Sequence, residues 1–382
     1  MTALKLGFAL LLLLGHGKLS AAPLGGWNGF ISQGWVLSDH NNFYGDSSDS
    51  HGSFDYRELG LNGFIQLNPQ FKLNGQMLSR RAGGSSDGEP EIDYLFADWS
   101  PLQQADQQAG IRVGRIKNPL GFYNATRDIA FTRPGVIMPQ SIYFDQVREL
   151  QLSSDGVALY YRKPSRFGDL FVDIQQGQLQ TGDETEALFL GEPRASDFSD
   201  SRVRLVRIMV EPRNQPWRFG LTGTEANFPF GPGEVDLSMV IFSAQYNLEL
   251  WSFTTEMMQA NIDWTRLGPL LPDKSRLKAI YLQADYRVNP KWQMMARIDH
   301  LDLDAVDHNG AGFNLKMGFP GYLSYAKDWT LGLRYQPSAS WDLKTELHRI
   351  EGAAWLSRQD NPNPFTIKRH WNMLLFQAAY RF

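Results

Sequence analysis

The chain has 382 residues, no cysteine and a formal net charge of -4 at pH 7. The lack of cysteine excludes disulfide bonds and thiolate metal sites, and the acidic balance argues against nucleic acid as a partner. Mean hydropathy is -0.35, yet there are 11 Trp, 14 Tyr and 24 Phe. A polar average with many aromatic rings suits a membrane β-barrel with a lipid face and a wet interior, and also a large soluble all-β protein.

The beginning of the chain reads as a secretory signal. A positive start is followed by an apolar core, Leu6 to Leu14, that is too short to span a bilayer, and Ala21 or Ala22 offers a small residue for cleavage. We therefore expect export and leave residues 1–22 out of the fold. Residues 23–382 contain no apolar run of membrane-spanning length and no obvious linker, so we treat them as one domain.

Connections along the mature chain alternate between short and long. The short ones carry strand-breaking residues, as in Asn68-Pro69-Gln70 and Asn289-Pro290. Seven short and eight long connections interleave, which implies sixteen strands with both ends of the chain on the short-turn side. We predict an all-β fold: a transmembrane antiparallel β-barrel of about 16 strands with short periplasmic turns and long extracellular loops. The long connections are expected at 38–53, 82–90, 118–153, 181–201, 228–234, 261–276, 304–326 and 352–368.

Apolar and polar side chains alternate along the predicted strands. Trp292, Met294, Ala296 and Ile298 share one face and Arg297 lies on the other, while Lys344 and Glu346 lie on the polar face of a later strand. An Arg or Lys facing lipid costs roughly 2–4 kcal/mol at the bilayer midplane, so the charged faces are expected to line a watery interior. Two segments fit either register: 92–99 and 202–210.

Aromatic residues recur beside the short turns. Rings that sit at one height in a barrel form an interfacial girdle, because they prefer the headgroup region of a membrane. Ordinary hairpin packing is the alternative for any single ring, but about a dozen at matching positions favour the girdle. These residues are Trp99, Tyr161, Phe167, Trp217, Tyr246, Trp251, Tyr286, Trp292, Tyr335 and Trp341, joined at the end of the chain by Tyr380 and Phe382.

The last predicted strand alternates up to the final residue. Leu374, Phe376, Ala378, Tyr380 and Phe382 share one apolar face. The edge strand of a soluble sandwich is the alternative, although the last residues of soluble domains are usually frayed. A strand that ends on Phe resembles the closing strand of Gram-negative outer-membrane β-barrels.

The longest connection, 118–153, is too apolar to be a solvated tether. It contains Phe122, Tyr123 and the cluster Ile142-Tyr143-Phe144, which need burial. A barrel of about 16 strands encloses a channel with room for such a segment. We expect this third long loop to fold inward, narrow the bore and carry function.

The strand that enters this loop, Val113 to Gly121, resembles the passage into the constriction loop of trimeric Gram-negative porins. The strand that leaves it, Ser154 to Arg162, resembles the one that follows that loop. With the strand count, the signal and the terminal Phe, the resemblance spans the chain. It implies an outer-membrane homotrimer in contact with lipid and lipopolysaccharide, which lets small hydrophilic solutes and ions diffuse passively.

In that family, acidic side chains on the loop face basic side chains on the barrel wall. Asp145 and Glu149 match as loop acids, and Asp128 is a further candidate. The loop also carries Arg127, Arg133 and Arg148, a departure that hints at anion preference. The wall candidates by face are Arg80, Arg297, Arg334, Lys344 and Glu346, and Arg115 is a further wall candidate because it matches the family's Gly-Arg pair. The parity of Arg115 would aim it outward unless its strand bulges, and each arginine could instead tether the loop.

Two other classes of protein remain open. An outer-membrane hydrolase would need a nucleophile and its base, but no Gly-x-Ser-x-Gly elbow and no Ser-His pairing stands out, and we expect no enzymatic activity. An adhesin would bind a partner through exposed loops such as 38–53 or 352–368. The sequence offers no metal or cofactor motif, so none is expected.

Overall fold

The computed structural model describes residues 24–181, 201–230, 233–266 and 274–382. The predicted signal lies outside these residues. The described residues form sixteen strands, three short α-helices and four 3₁₀ turns, and no helix among them is long and apolar enough to span a membrane. The strands are β1 Leu24–Ser38, β2 Ser53–Asn68, β3 Phe71–Ala82, β4 Asp87–Gln104, β5 Gln107–Lys117, β6 Ser153–Ser165, β7 Gly168–Leu179, β8 Arg202–Pro212, β9 Trp217–Phe230, β10 Gly233–Asn247, β11 Trp251–Thr265, β12 Lys274–Arg287, β13 Trp292–Asp302, β14 Tyr325–Ser338, β15 Trp341–Gly352 and β16 His370–Arg381. The helices are α1 Gln140–Tyr143, α2 Arg148–Leu152 and α3 Ala311–Met317.

The strands close into one barrel, which confirms the predicted fold. Each strand pairs antiparallel with its sequence neighbours, and β1 pairs with β16 to complete the ring. Beyond the last strand, Phe382 and Gly29 exchange two backbone hydrogen bonds of 3.0 Å each. Closure leaves no open sheet edge, which is what a barrel surrounded by lipid requires.

The connections follow the predicted alternation, with differences in length. One short connection is shorter than predicted, since β4 continues through Pro101 to Gln104 before its turn. Two connections expected to be long are brief: β3 and β4 are joined by residues 83–86, and β10 begins at Gly233, three residues after β9 ends at Phe230. Strand pairing there extends past Pro229 into a segment that we had read as loop.

Exposure separates the two faces of the wall as predicted. On the outer face, Trp292, Leu331 and Leu343 are 38, 63 and 37% exposed, whereas the inward-facing Glu346 and His348 are 1 and 0% exposed. The sequence-ambiguous strands are also resolved. A bulge in the β3–β4 pairing lies next to Ile92, and pairing of β8 with β7 and β9 puts Arg202, Arg204 and Val206 outside and Arg207 inside.

The aromatic residues beside the short turns form cross-strand pairs on the outer face. On four of these strands, the outward-facing residue eight positions after the tryptophan of the pair is polar. With a strand tilt near 40° this spacing is about 20 Å of height, close to the apolar band of a membrane barrel. The ring pairs are Trp217–Tyr246 at 4.5 Å, Trp251–Tyr286 at 4.6 Å, Trp292–Tyr335 at 4.3 Å and Trp341–Tyr380 at 5.0 Å. The polar positions are Glu225, Gln259, His300 and Arg349.

Residues 118–152, here called the inner segment, fold into the barrel. Val136, Ile142 and Tyr143 are fully buried in one apolar cluster with residues of the wall. Two other long connections join this cluster at the long-loop end, because Tyr44 stacks on Tyr56 and Trp355 packs against Phe43. The hydrophobic core of the molecule therefore lies inside the barrel, between the inner segment and part of the wall.

Candidate functional site: the inner segment and the barrel wall

The inner segment turns into the barrel immediately after β5. The backbone N–H of Asn118 bonds the carbonyl of Leu152, which brings the two ends of the segment together. Gly121 has φ of +53°, a left-handed conformation that other residues rarely adopt, and an added Cβ there would lie 2.5 Å from a carboxylate oxygen of Glu256. The turn therefore needs glycine for both its backbone angle and its close approach to the wall.

Glu256 on β11 anchors this turn. Its carboxylate accepts hydrogen bonds from the Phe122 backbone N–H at 2.9 Å and from the hydroxyls of Tyr143 at 2.5 Å, Tyr281 at 2.8 Å and Ser243 at 2.5 Å. Burial and the neighbouring Glu256 raise the pKa of Tyr143 in the inner segment well above its ordinary value. Tyr143 therefore keeps its proton and donates, as this anchor requires.

Two acidic residues of the inner segment, Asp145 and Asp128, are bound to cations. Asp145 accepts hydrogen bonds from Arg80 on the wall and Arg127 in the segment, both at 3.0 Å, and also from the hydroxyl of Tyr44. These contacts bring together three elements: the first long loop, the wall strand β3 and the inner segment. Asp145 therefore joins them at one buried point.

Asp128 makes a second buried cluster. Its carboxylate pairs with Lys117 at the end of β5 and with Arg148 in α2. Burial opposes ionisation of Asp128, but the charges of Arg148 and Lys117 outweigh it and hold the pKa of Asp128 well below its ordinary value. The remaining loop acid, Glu149, lies half-buried in α2.

Arg133 points from the inner segment to the wall strand β2, next to Arg80 on β3. It bonds both oxygens of Glu58 on β2, at 2.8 and 2.6 Å. Burial would lower the pKa of Arg133, but Glu58 outweighs it and raises that pKa above its ordinary value. This two-bond pair is buried on both sides, the geometry in which a guanidinium holds a carboxylate most firmly.

Wall residues on β14 and β15 bind the backbone of the inner segment. Lys344 donates to the carbonyls of Ala130, Arg133 and Gly135, at 2.6, 2.8 and 3.1 Å. Arg334 donates to the carbonyl of Phe131 at 3.0 Å and pairs with a wall acid of its own strand pair. Each contact replaces water at a carbonyl that the fold has buried.

The neighbouring contacts follow the same rule. Arg297 on β13 lies 3.4 Å from the carbonyl of Ile137, and Glu346 accepts a hydrogen bond from the N–H of the same residue at 3.1 Å. Arg80, Arg297, Arg334, Lys344 and Glu346 thus all face inward and contact the inner segment. These contacts tether the inner segment to the wall, which is one of the two roles that the sequence left open. An effect of these residues on ion selectivity stays a prediction.

Arg115 is a correction. It was a wall candidate, but pairing puts it opposite Leu95 and Asp155 on the outer face, and it bonds the carboxylate of Asp155 at 2.9 Å. The neighbouring Gly114 has an unusual φ of +130°, yet the register of β5 is continuous there, so the strand does not turn Arg115 inward. Its parity with Val113 was the correct signal.

Sequence reasoning missed the basic residues on the rest of the inner wall, here called the open wall. They lie on β5, β6, β8 and β9, and each pairs in register with inward-facing neighbours. Parity could have found the first two, whereas β8 was ambiguous from sequence. The open-wall arginines are Arg112, Arg162, Arg207 and Arg218.

Three of these arginines have acidic partners. Arg112 bonds Asp98 at 3.0 Å, and Arg207 bonds Asp173 at 2.7 Å. Arg218 lies 3.0 Å from Glu211 near the short turns, and its guanidinium also lies 4.8 Å from the ring centre of Phe122, so it borders the inner segment. Arg162 is exposed, and no ion pair joins it to an acid within the described part of the chain. The open wall therefore presents solvated positive charge to the interior. Among the residues with described positions, no group of three or more His, Asp or Glu is arranged to hold a metal.

No protein-family model and no curated protein matches the sequence. Solved structures do share its fold. The barrel is similar to an anion-selective porin from Comamonas acidovorans, with 13% identity, 94% of this chain and 100% of that one covered, and a TM-score of 0.61. The trimer form of OmpT from Vibrio cholerae matches with 10% identity, 95 and 100% coverage and a TM-score of 0.60.

The outer membrane channel DcaP of Acinetobacter baumannii is a third structure of this kind, with 12% identity, 96% of this chain and 99% of that one covered, and a TM-score of 0.57. At such identities the likeness establishes the fold. The chain has a 16-stranded porin fold, a closed antiparallel barrel matched over nearly its whole length.

Proposed function

We propose that the protein is an outer-membrane porin: a water-filled channel through which small hydrophilic solutes and ions diffuse passively. The observation that carries this is the inner segment, which is held by ion pairs against one side of a closed barrel and leaves solvated arginines on the other side. A plugging domain would cover both sides. Opposed charges across a narrow aqueous passage select solutes by sign and size.

In this channel the inner segment forms one side of the constriction. Its charged residues are Asp128, Asp145, Glu149, Arg127, Arg133 and Arg148, and the wall residues beneath it keep it in place. Arg162 and its neighbours on the open wall form the other side. Because Arg162 is exposed while Asp128 and Asp145 of the inner segment are bound to cations, we infer a preference for anions. Anion selectivity in the name of one structural neighbour accords with this.

The outer face of the barrel supports a location in the outer membrane. Its apolar band and aromatic pairs suit a Gram-negative outer membrane, reached by export through the periplasm, with the short turns on the periplasmic side. Lipid and lipopolysaccharide would then surround the wall. A homotrimer is proposed from the trimeric form of a neighbour with the same fold.

Planar-bilayer recording of the purified full-length protein tests the channel. A trimeric porin gives stable conductance steps, commonly in threes, and liposomes that contain it swell in small sugars. An adhesin or barrel enzyme with a plugged bore gives no steps. Closed, non-conducting insertions in folded, heat-modifiable protein would refute the porin function and revive those two alternatives.

A further inference from the structure

The open wall carries aromatic rings between its arginines. We call Phe96, Arg112, Tyr160, Arg162 and Phe171 the arginine–aromatic row. Strand pairing places these residues on the inner face: Arg112 pairs with Asp98, Tyr160 with Asp173, and Arg162 with Phe171. The row thus crosses four neighbouring strands, from β4 to β7, on one side of the interior.

Within the row each guanidinium lies against two rings. The Arg112 guanidinium is 5.5 Å from the ring centre of Phe96 and 4.6 Å from that of Tyr160. The Arg162 guanidinium is 5.6 Å from the ring centre of Tyr160 and 5.8 Å from that of Phe171. All four distances lie within the range of cation–π attraction. The rings hold the planar groups in place while leaving N–H edges for an anion.

The rings are unexpected in a bore that carries only inorganic ions. Phe96 and Phe171 point inward yet remain partly exposed, so apolar surface meets water inside the barrel. A charged wall would attract ions equally well with Gln or Thr at these positions. In the inner segment, by contrast, Phe122, Tyr143 and Phe144 are buried.

The two arginines of the row differ in charge balance. Arg112 shares its charge with Asp98, which also accepts a hydrogen bond from Tyr160 at 2.8 Å. Arg162 is exposed and makes its described contacts with the two rings. The available positive charge and the exposed ring of Phe171 therefore lie side by side.

We propose that the arginine–aromatic row is a weak binding site for anions that carry a planar apolar ring, of which arene carboxylates are the simplest. The carboxylate pairs with Arg162, and the ring covers apolar surface of the row. This rests on the proposed channel function and names the solute class that the channel selects. Small inorganic anions use the charge of the same site but gain nothing from its rings.

The test is inhibition of chloride current by two carboxylates of equal charge. Wild-type channels in planar bilayers are titrated at pH 7 and constant ionic strength with potassium benzoate or potassium acetate. Benzoate is expected to halve the chloride current at a roughly tenfold lower concentration than acetate, because only benzoate has a ring to stack.

Three variants separate charge from ring. Phe171→Leu keeps an apolar side chain but removes the ring face, so the benzoate-to-acetate ratio should fall while acetate inhibition is unchanged. Arg162→Gln should weaken inhibition by both. Arg207→Gln is the matched control: it removes an inward arginine that has no cation–π contact with a ring among the described residues, and should leave the ratio as it is in the wild type. Phe96→Leu replaces Phe171→Leu if the latter does not fold, as judged by heat-modifiable migration.

The outcomes are distinct. A conducting wild type that treats benzoate and acetate alike overturns this proposal and leaves the channel function standing. A normal ratio in both folded Phe→Leu variants also overturns it. A folded wild type that conducts nothing overturns the channel function, and this proposal with it.

Discussion

The two sides of the barrel interior use the same residue types for different purposes. On the side of β13 to β15, Lys344 is 2% exposed and bonds the backbone of the inner segment. On the open wall, Arg112 and Arg207 are 24 and 18% exposed and lie beside acids of neighbouring strands. An inward-facing cation is therefore not by itself a pore residue; what it contacts decides whether it holds the segment or meets the solute.

Physical chemistry explains the division. A buried charge must be paired or hydrogen-bonded, because its desolvation cost is several kcal/mol. Arg133 and Glu58 meet this condition with two bonds, so removing Glu58 leaves Arg133 buried without its carboxylate. The desolvation cost of a solvated arginine is small. Its electrostatic field extends into the passage and is limited there by salt screening. The buried side should respond to mutation in stability, and the open side in selectivity.

The largest expected effect comes from breaking the best-paired contact of the buried side. Glu58→Ala leaves Arg133 buried without its carboxylate, which should destabilise the folded barrel by about 3–5 kcal/mol. Urea unfolding in detergent, followed by tryptophan fluorescence, measures this loss. Glu58→Gln keeps a hydrogen-bond acceptor and serves as the control; equal stability of Glu58→Ala and wild type would contradict the tethering role.

A smaller effect is expected from Lys344→Met. The substitution preserves length but leaves three buried carbonyls without their donor, at a cost of about 1–3 kcal/mol. Because the inner segment would be held less firmly there, single-channel current should also become noisier. The control is Lys163→Met at the short-turn end of β6. Quiet current and unchanged unfolding in Lys344→Met would show that these carbonyls need no donor.

The turn into the barrel should tolerate little change. Gly121→Ala forces a side chain into a left-handed backbone and against Glu256, so we expect a loss of about 1–2 kcal/mol. Gly223→Ala is the matched control, since an added Cβ at that glycine meets nothing within 4 Å. Equal losses in the two variants, by the same unfolding assay, would remove the special role of the turn.

Much of the fold was predictable from the sequence because a barrel repeats one local rule. The two-residue alternation around Trp292 and the strand-breaking residues at Asn289-Pro290 are local signals, and every strand carries some version of them. The alternation failed where it was weak. At β8, Arg204 and Arg207 differ by an odd number of positions, so one must face outward whichever register is chosen, and only pairing with β7 and β9 decides which.

The site was less predictable, for a physical reason. Parity tells which face a side chain lies on, and it placed Arg297 and Lys344 inside. It cannot tell which part of the wall the inner segment covers, because that depends on contacts such as Glu58 with Arg133, 75 positions apart. Arg162 was overlooked because the property that distinguishes it, that the inner segment does not cover it, cannot be read from the sequence.

The most direct test of the account compares one arginine from each side in the same assay. Reversal potentials are measured across a potassium chloride gradient for wild type, Arg162→Gln and Arg297→Gln. We expect an anion-selective wild type, a roughly two- to threefold lower chloride-to-potassium permeability ratio in Arg162→Gln, as follows from losing one solvated charge, and little change in Arg297→Gln. A fall in Arg297→Gln with no change in Arg162→Gln would contradict the division between a tethering wall and an open wall.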